Sequence, residues 1–317
     1  MKSKKSLQQK SKFVRTINGD IIMKYSSVIM GHISLDYNTD HLDNTVEVIG
    51  GAVTFSSASA YALGHRVAAV TKVAPEDKDR LSGLVIPEED IFCLPADSST
   101  VMKNKYFTAD KERRECFNVS VGTPFNVNDI GDFDADIFHF AGLLYGDFNN
   151  DMIRKAAEKY DVAVDVQTLL RHRRDDGTMY FEDWADKKEM LPYIRYLKTD
   201  AAEAEIMTGL SDRKKAAEAL FSWGAKEILI THNTEVLAFD GNDFYTCPIR
   251  SRNLSGRTGR GDTTFAAYYC ERLNNSIKDS LLYATATVSV KMETPGPYKG
   301  TRKDIEDYIN LFYKDCK

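Results

Sequence analysis

"LSGRTGRGDTTF", residues 254–265, poses the question on which the rest of the sequence turns. Gly259 and Gly261 stand directly before "TTFAAYYCERLN", in which Phe265, Tyr268, Tyr269 and Arg272 recur at spacings of three and four, as on one helix face. Asp262 and Thr263 suit the N-cap or first turn of that helix. Glycines at a helix entrance let the backbone bend tightly and aim several N–H groups at one point. Together with the positive end of the helix dipole, those donors make an anion site. From these residues alone, Asp262 reads equally as a helix cap and as a catalytic base. The same stretch spells Arg-Gly-Asp at 260–262, an adhesion tripeptide if displayed on a secreted loop.

The cysteines weigh against secretion. Cys93, Cys116, Cys247, Cys270 and Cys316 are odd in number, scattered and without a C-x-x-C pair. That usage predicts free thiols in a reducing compartment, with neither a disulfide scaffold nor a zinc site. The 317 residues are 43% hydrophobic and 28% charged, ordinary for a globular chain, and long enough for one large α/β domain with an appendage. A net charge of −5 and a pI near 5.8 give no nucleic-acid footprint. No apolar run approaches the roughly 20 residues that span a bilayer, and the first 20 residues lack the apolar segment of a secretory signal. The expectation is a soluble, cytoplasmic protein with no nucleic-acid or membrane partner. Residues 1–25 read as a basic tail, and Met23 is a candidate start in place of Met1.

From residue 26 onward the pattern alternates. "SSVIMG" (26–31) predicts a buried strand, "GGAVTFSSASAYALG" (50–64) a helix stopped by Gly64, and "HRVAAVTKV" the next strand. "DADIFHFAG", "DVAVDVQ", "RYLKTD" and "AKEILITH" continue as strands, with helical "NNDMIRKAAEKY", "AAEAEIMTG" and "DRKKAAEALFSWG" between them. Such alternation predicts a mainly parallel sheet covered by helices on both faces. After residue 227, "EILITHNTEVLAFDGNDFYTCPI" changes to short strands joined by "HNT" and "DGND" turns, as in antiparallel hairpins. "SSTVMKNKYFTADKERRECFNVS" (98–120) interrupts the alternation with two extended segments flanking "TADKER", the pattern of a small β-flap.

In this order the motifs resemble those of the ribokinase-like, or PfkB-type, carbohydrate kinases. "GRTGRGD" is similar to the family signature D-T-x-G-A-G-D; "GHISLD" matches its early G-x-x-x-x-D with Asp36; Gly50 and Gly51 match the glycine pair opening its first helix. "DAAE" matches N-x-x-E in part, with Glu203 as the glutamate, and "DVQTLLR" (165–171) and "NKYFTADKERRE" look like the inositol and polyol kinase subgroup. The resemblance runs from about Ser26 to the end of the sequence. It implies a three-layer α/β sandwich over residues 26–317, with lid segments about 37–48 and 95–121. The implied activity is ATP-dependent phosphorylation of a hydroxyl on a small sugar, polyol or nucleoside. Asp262 would be the base, and the N–H groups of Gly259, Arg260 and Gly261 would stabilise charge on the transferred phosphoryl group. Asp36, Gly50, Gly51 and Gln167 would bind the acceptor, and Thr231 and Thr258 the nucleotide. Glu203 and Asp200 would hold Mg²⁺ through water. The flap implies either a lid or the edge of a homodimer.

The sequence departs from the family at informative places. Gly256 replaces the first aspartate of the signature, Arg260 its alanine and Asp200 the asparagine of N-x-x-E. Phe55 stands where an asparagine often contacts sugar. "THNTEVLAF" (231–239) lacks both glycines of the usual nucleotide loop T-x-G-x-x-G. The basic run "RHRR" (171–174) follows a strand end and reads as a solvated loop or a phosphate contact. These departures motivate the alternative of a kinase-fold protein that binds a ligand or partner without ordinary catalysis.

Overall fold

The computed structural model describes residues 14–17, 20–108 and 114–316. Nine strands form the central sheet, in the spatial order 244–248, 235–239, 227–231, 196–200, 161–165, 135–140, 25–30, 67–72, 91–94. The seven from Glu227–Thr231 to Ile91–Leu94 run parallel, and the hairpin Glu235–Phe239/Phe244–Pro248 adds two antiparallel strands at one edge. Central strands are mostly apolar because both of their faces are covered; Val67–Lys72 is buried at every position. Helices Ala52–Ala62, Arg260–Glu271, Ile277–Lys291 and Arg302–Phe312 pack on one face, and Asn150–Ala157, Ala201–Thr208 and Arg213–Ser222 on the other. The expected three-layer sandwich is therefore the observed architecture.

A second sheet of four strands carries the flap, in the order Thr45–Gly50, Ser34–Thr39, Thr100–Tyr106, Arg114–Ser120. Its two outer pairings are antiparallel, and the central one, Ser34–Thr39 with Thr100–Tyr106, is parallel. The flap thus begins at Ser34, immediately after the chain leaves the central strand Tyr25–Met30 through Gly31–Ile33, and it is rooted directly in the body. Most of the "TADKER" turn lies outside the described residues. Within the segment read as a tail, Val14–Ile17 pairs antiparallel with Asp20–Met23; residues 1–13, 18 and 19 lie outside the described residues.

One local expectation changes, and one strand was not foreseen. "RHRR" is not a solvated loop: Arg171–Arg173 forms a hairpin with Met179–Phe181 that is hydrogen-bonded to the flap through Asn118 and Gly177. Arg171 is buried, with its Nε donating to the Leu143 carbonyl at 2.8 Å. The edge strand Ile91–Leu94 is too short and too evenly half-buried to leave an alternating pattern in the sequence. All five cysteines are free thiols, and no helix among the described residues is long and apolar enough to cross a membrane.

Candidate active site

The parallel strands end on one side of the sheet, where α/β folds collect their ligand-binding groups. Asp165 closes one strand, Lys198 and Asp200 lie at the end of the next, and Thr231 ends the third. The entrance of helix Arg260–Glu271 faces them, and the flap covers them from the side. Between lies a cleft of about 360 Å³ lined by Asp36, Gly51, Phe55, Asn104, Arg114, Asp165, Gln167, Arg171, Lys198, Asp200, Glu203, Thr231, Asn233 and the whole segment 257–262. Eleven of the twelve residues expected from sequence line it. The exception is Gly50, which ends a flap strand opposite Ser34; a Cβ built there falls 2.6 Å from Asp36 Oδ2. Gly50 therefore makes room for the Asp36 carboxylate and does not itself form the cleft wall.

Asp262 is not the N-cap of its helix. The cap is Gly259, at φ 77°, and Arg260 is the first helical residue, which leaves Asp262 in the first turn facing the cleft. A side chain at Gly259 would be strained by that left-handed backbone, and its Cβ would lie 2.2 Å from the Phe55 ring. Phe55, which in the sequence stands where an asparagine often contacts sugar, is the floor on which the cradle rests. Burial pushes the Asp262 carboxyl up to about 6. Asp165 adds to the rise, while Lys198, Arg171 and Lys291 oppose it. A carboxylate titrating there accepts a proton from a hydroxyl far more readily than one at the ordinary aspartate value.

The flap side of the cleft is polar. Asp36 accepts a hydrogen bond from Ser34 Oγ at 2.6 Å, and burial raises its carboxyl against the pull of that bond, Arg171 and Arg114. Asn104 donates to Asn38 Oδ1 at 2.9 Å, which fixes its amide beside Asp36 in the flap.

A carboxylate cluster lies beneath the cradle. Asp200 caps helix Ala201–Thr208 in a reciprocal box with Glu203: Glu203 N donates to Asp200 Oδ1 at 2.8 Å, and Asp200 N to Glu203 Oε2 at 2.7 Å. Lys198 Nζ sits among the carboxylates, 2.9 Å from Asp165 Oδ2 and 3.7 Å from Glu203 Oε2. Burial alone would lower this ammonium, but Asp165, Glu203 and Asp200 hold it above its ordinary value. No group of three or more His, Cys, Asp or Glu side chains among the described residues is disposed to hold a metal ion, and the position between the acids belongs to Lys198. The donor set does not fit a metal bound by side chains alone. It fits a hydrated Mg²⁺ arriving on donor phosphates and meeting Asp200 and Glu203 through water.

Beside the cradle, Arg260 Nη1 donates to Asn233 Oδ1 at 2.9 Å, and Arg257 Nη2 lies 3.5 Å from the same oxygen. These bonds join the 231–235 loop to the cradle loop.

The sequence profile of the pfkB family carbohydrate kinases matches residues 125–304, more than half of the chain. A pyrophosphate-dependent kinase in the ribokinase family, solved with a pyrophosphate analog and myo-inositol, is 32% identical, with a TM-score of 0.80 over 89% of this chain and 99% of that one. The chain belongs to the pfkB carbohydrate kinase family. It is accordingly a phosphotransferase. Among curated proteins, the cytidine kinase of Thermococcus kodakarensis is 26% identical over 247 residues, 74% of this chain and 84% of that protein. Arabidopsis thaliana ribokinase, solved with ribose and ATP, is alike in fold alone, at 15% identity and a TM-score of 0.71. Acceptors across the family are small sugars, nucleosides and inositols.

Sequence reading missed Asp165, Lys198 and Arg114 as site residues, and offered Arg171 only within the "RHRR" run as a phosphate contact or solvated loop. Asp165 and Lys198 carried a usable signal, since both lie in the C-terminal halves of predicted parallel strands. Arg114 lies in "NKYFTADKERRE", which pointed to the polyol kinase subgroup but gave the residue no role; it enters the cleft from the outer strand of the flap.

Proposed function

We propose that this protein transfers a phosphoryl group from pyrophosphate to a hydroxyl of a myo-inositol-like polyol. The observation that carries the choice of donor is the Arg260–Asn233 bridge. It spans the gap between the two loops that a family nucleotide would occupy, and it places two guanidinium groups, from Arg257 and Arg260, at the mouth of the cradle. Pyrophosphate needs charge-assisted donors and no nucleoside pocket, and guanidinium forks suit phosphate oxygens. The glycine-free "THNTEVLAF" loop and the likeness to a pyrophosphate-dependent kinase support the same choice.

In this reading the acceptor lies between Asp36, Asn104 and Gln167, with one hydroxyl toward Asp262. Asp262 takes the hydroxyl proton as the oxygen attacks the near phosphorus. The new P–O bond forms, the bridging P–O bond breaks and orthophosphate leaves. The N–H groups of Gly259 and Gly261 meet the charge developing on the transferred group, each worth roughly 3 kcal/mol in the barrier if aligned; that of Arg260, expected from sequence to join them, donates instead to the Arg257 carbonyl at 3.3 Å. Lys198 adds positive charge beside Gly261. Mg²⁺ on the donor, held through water by Glu203 and Asp200, would neutralise the phosphates. Incubation with myo-inositol, Mg²⁺ and either pyrophosphate or ATP, followed by ³¹P NMR, tests the donor; transfer from ATP alone would assign the cleft to a nucleotide.

Leu42 and Val46, at the far end of the flap, are 68% and 58% exposed. They support the expectation of a homodimer through the flap.

A further inference from the structure

Lys291 is the last residue of helix Ile277–Lys291 and is fully buried, a position in which a lysine is rare unless paired. Its ammonium meets no carboxylate within ion-pairing distance among the described residues. It donates to two backbone carbonyls, those of Gly256, at 2.5 Å, and of Thr258, and it lies 4.9 Å from the centre of the Phe55 ring. The segment it holds, Gly256–Thr258, runs directly into Gly259, whose left-handed turn opens the cradle. The same helix end takes a further bond from this segment, Gly256 N to the Met292 carbonyl at 2.7 Å. Phe55 is shared: it underlies Gly259 on one side and the ammonium on the other. Burial lowers the Lys291 ammonium to about 8, with Asp262 opposing that shift. A methionine would fill the same volume without this desolvation cost, so packing alone does not account for a charge here.

We propose that Lys291 is a positioning residue for phosphoryl transfer, a tethered cation whose grip on the Gly256 and Thr258 carbonyls aims the N–H groups of Gly259 and Gly261. It lies behind the cradle and touches neither substrate. The inference rests on the reading of that cradle as the phosphoryl site, so turnover is compared in the donor that the wild-type protein uses.

The test takes Lys291→Met and Lys291→Ala. Lys291→Met is expected to lower kcat by 10-fold to 100-fold with less than a threefold change in the donor and acceptor KM, because misaimed N–H groups fail the transition state more than the ground state. In Lys291→Ala, n-butylammonium is expected to restore part of the lost kcat, whereas n-butanol of the same shape is not. Equal rescue by both compounds, or a Lys291→Met protein with wild-type kcat, would show that the side chain only fills space. A rise in KM without a fall in kcat would overturn positioning in favour of ground-state binding. Thermal unfolding is followed in parallel; failure of both variants to fold would make the role structural and end the proposal.

Discussion

Asp262 combines a position at the mouth of a helix with a carboxyl pushed up to about 6, and the two together set a pH dependence. The carboxylate is the active form of a base. Activity that depends on it is full well above pH 6 and falls about tenfold per unit once the pH is well below that value. The profile of kcat/KM, which reports the free enzyme, should bend downward near pH 6, and a flat profile from pH 7 to 5 would remove Asp262 from the role. Asp262, Glu203 and Asp36 were legible because each sits at a fixed place in a short motif. Lys291 was not: a single lysine ending "ATATVSVK" reads as an ordinary partner for the helix dipole. Only the return of the 256–258 loop onto that helix end gives it a different meaning.

The cradle is a joint between elements, and Gly256 shows what the joint requires. A Cβ at Gly256 would lie 1.8 Å from the Thr294 carbonyl oxygen, a backbone contact that cannot yield as a side chain would. The aspartate found here in the family signature therefore has no room in this chain. Gly256→Ala should destabilise the fold by about 1–3 kcal/mol, the usual cost of overpacking. It should also lower kcat, because the displaced segment carries the cradle. Denaturant unfolding and steady-state kinetics on the same preparation check both effects, and an unchanged midpoint would contradict the close approach. At this scale the sequence predicted a helix after its glycine entrance, with Asp262 and Thr263 at the N-cap or first turn; the helix starts two residues earlier, at Arg260, and Asp262 lies in its first turn. The cap is Gly259 because a left-handed residue is needed to pass over Phe55, a contact between segments some 200 residues apart.

Across the whole molecule, apolar runs alternating with amphipathic helices were enough to predict a covered parallel sheet, since a strand buried on both faces must be apolar throughout. The hairpin at its edge and the flap were legible from their turns. The parallel pairing of Ser34–Thr39 with Thr100–Tyr106 was not, because its partners are separated by three strands and a helix. That pairing brings Asp36 and Asn104 to one wall of the cleft. Leu42 and Val46 at the flap's far end lead to the expectation of a dimer in sedimentation equilibrium that Leu42→Lys/Val46→Lys converts to monomer; a monomeric wild type would overturn it.

The central claim is a phosphoryl group passing from pyrophosphate to a polyol hydroxyl with Asp262 as base. Its most direct test is ³¹P NMR of wild type and Asp262→Asn with myo-inositol, Mg²⁺ and pyrophosphate, with ATP in parallel. The wild type should form phosphate monoester and orthophosphate in equal amounts from pyrophosphate, and far more slowly from ATP. Asp262→Asn should retain its fold and lose roughly 10²–10⁴ in rate, the range for a lost general base. Monoester formed from ATP and not from pyrophosphate would contradict the donor, and near-wild-type turnover by Asp262→Asn would contradict the base.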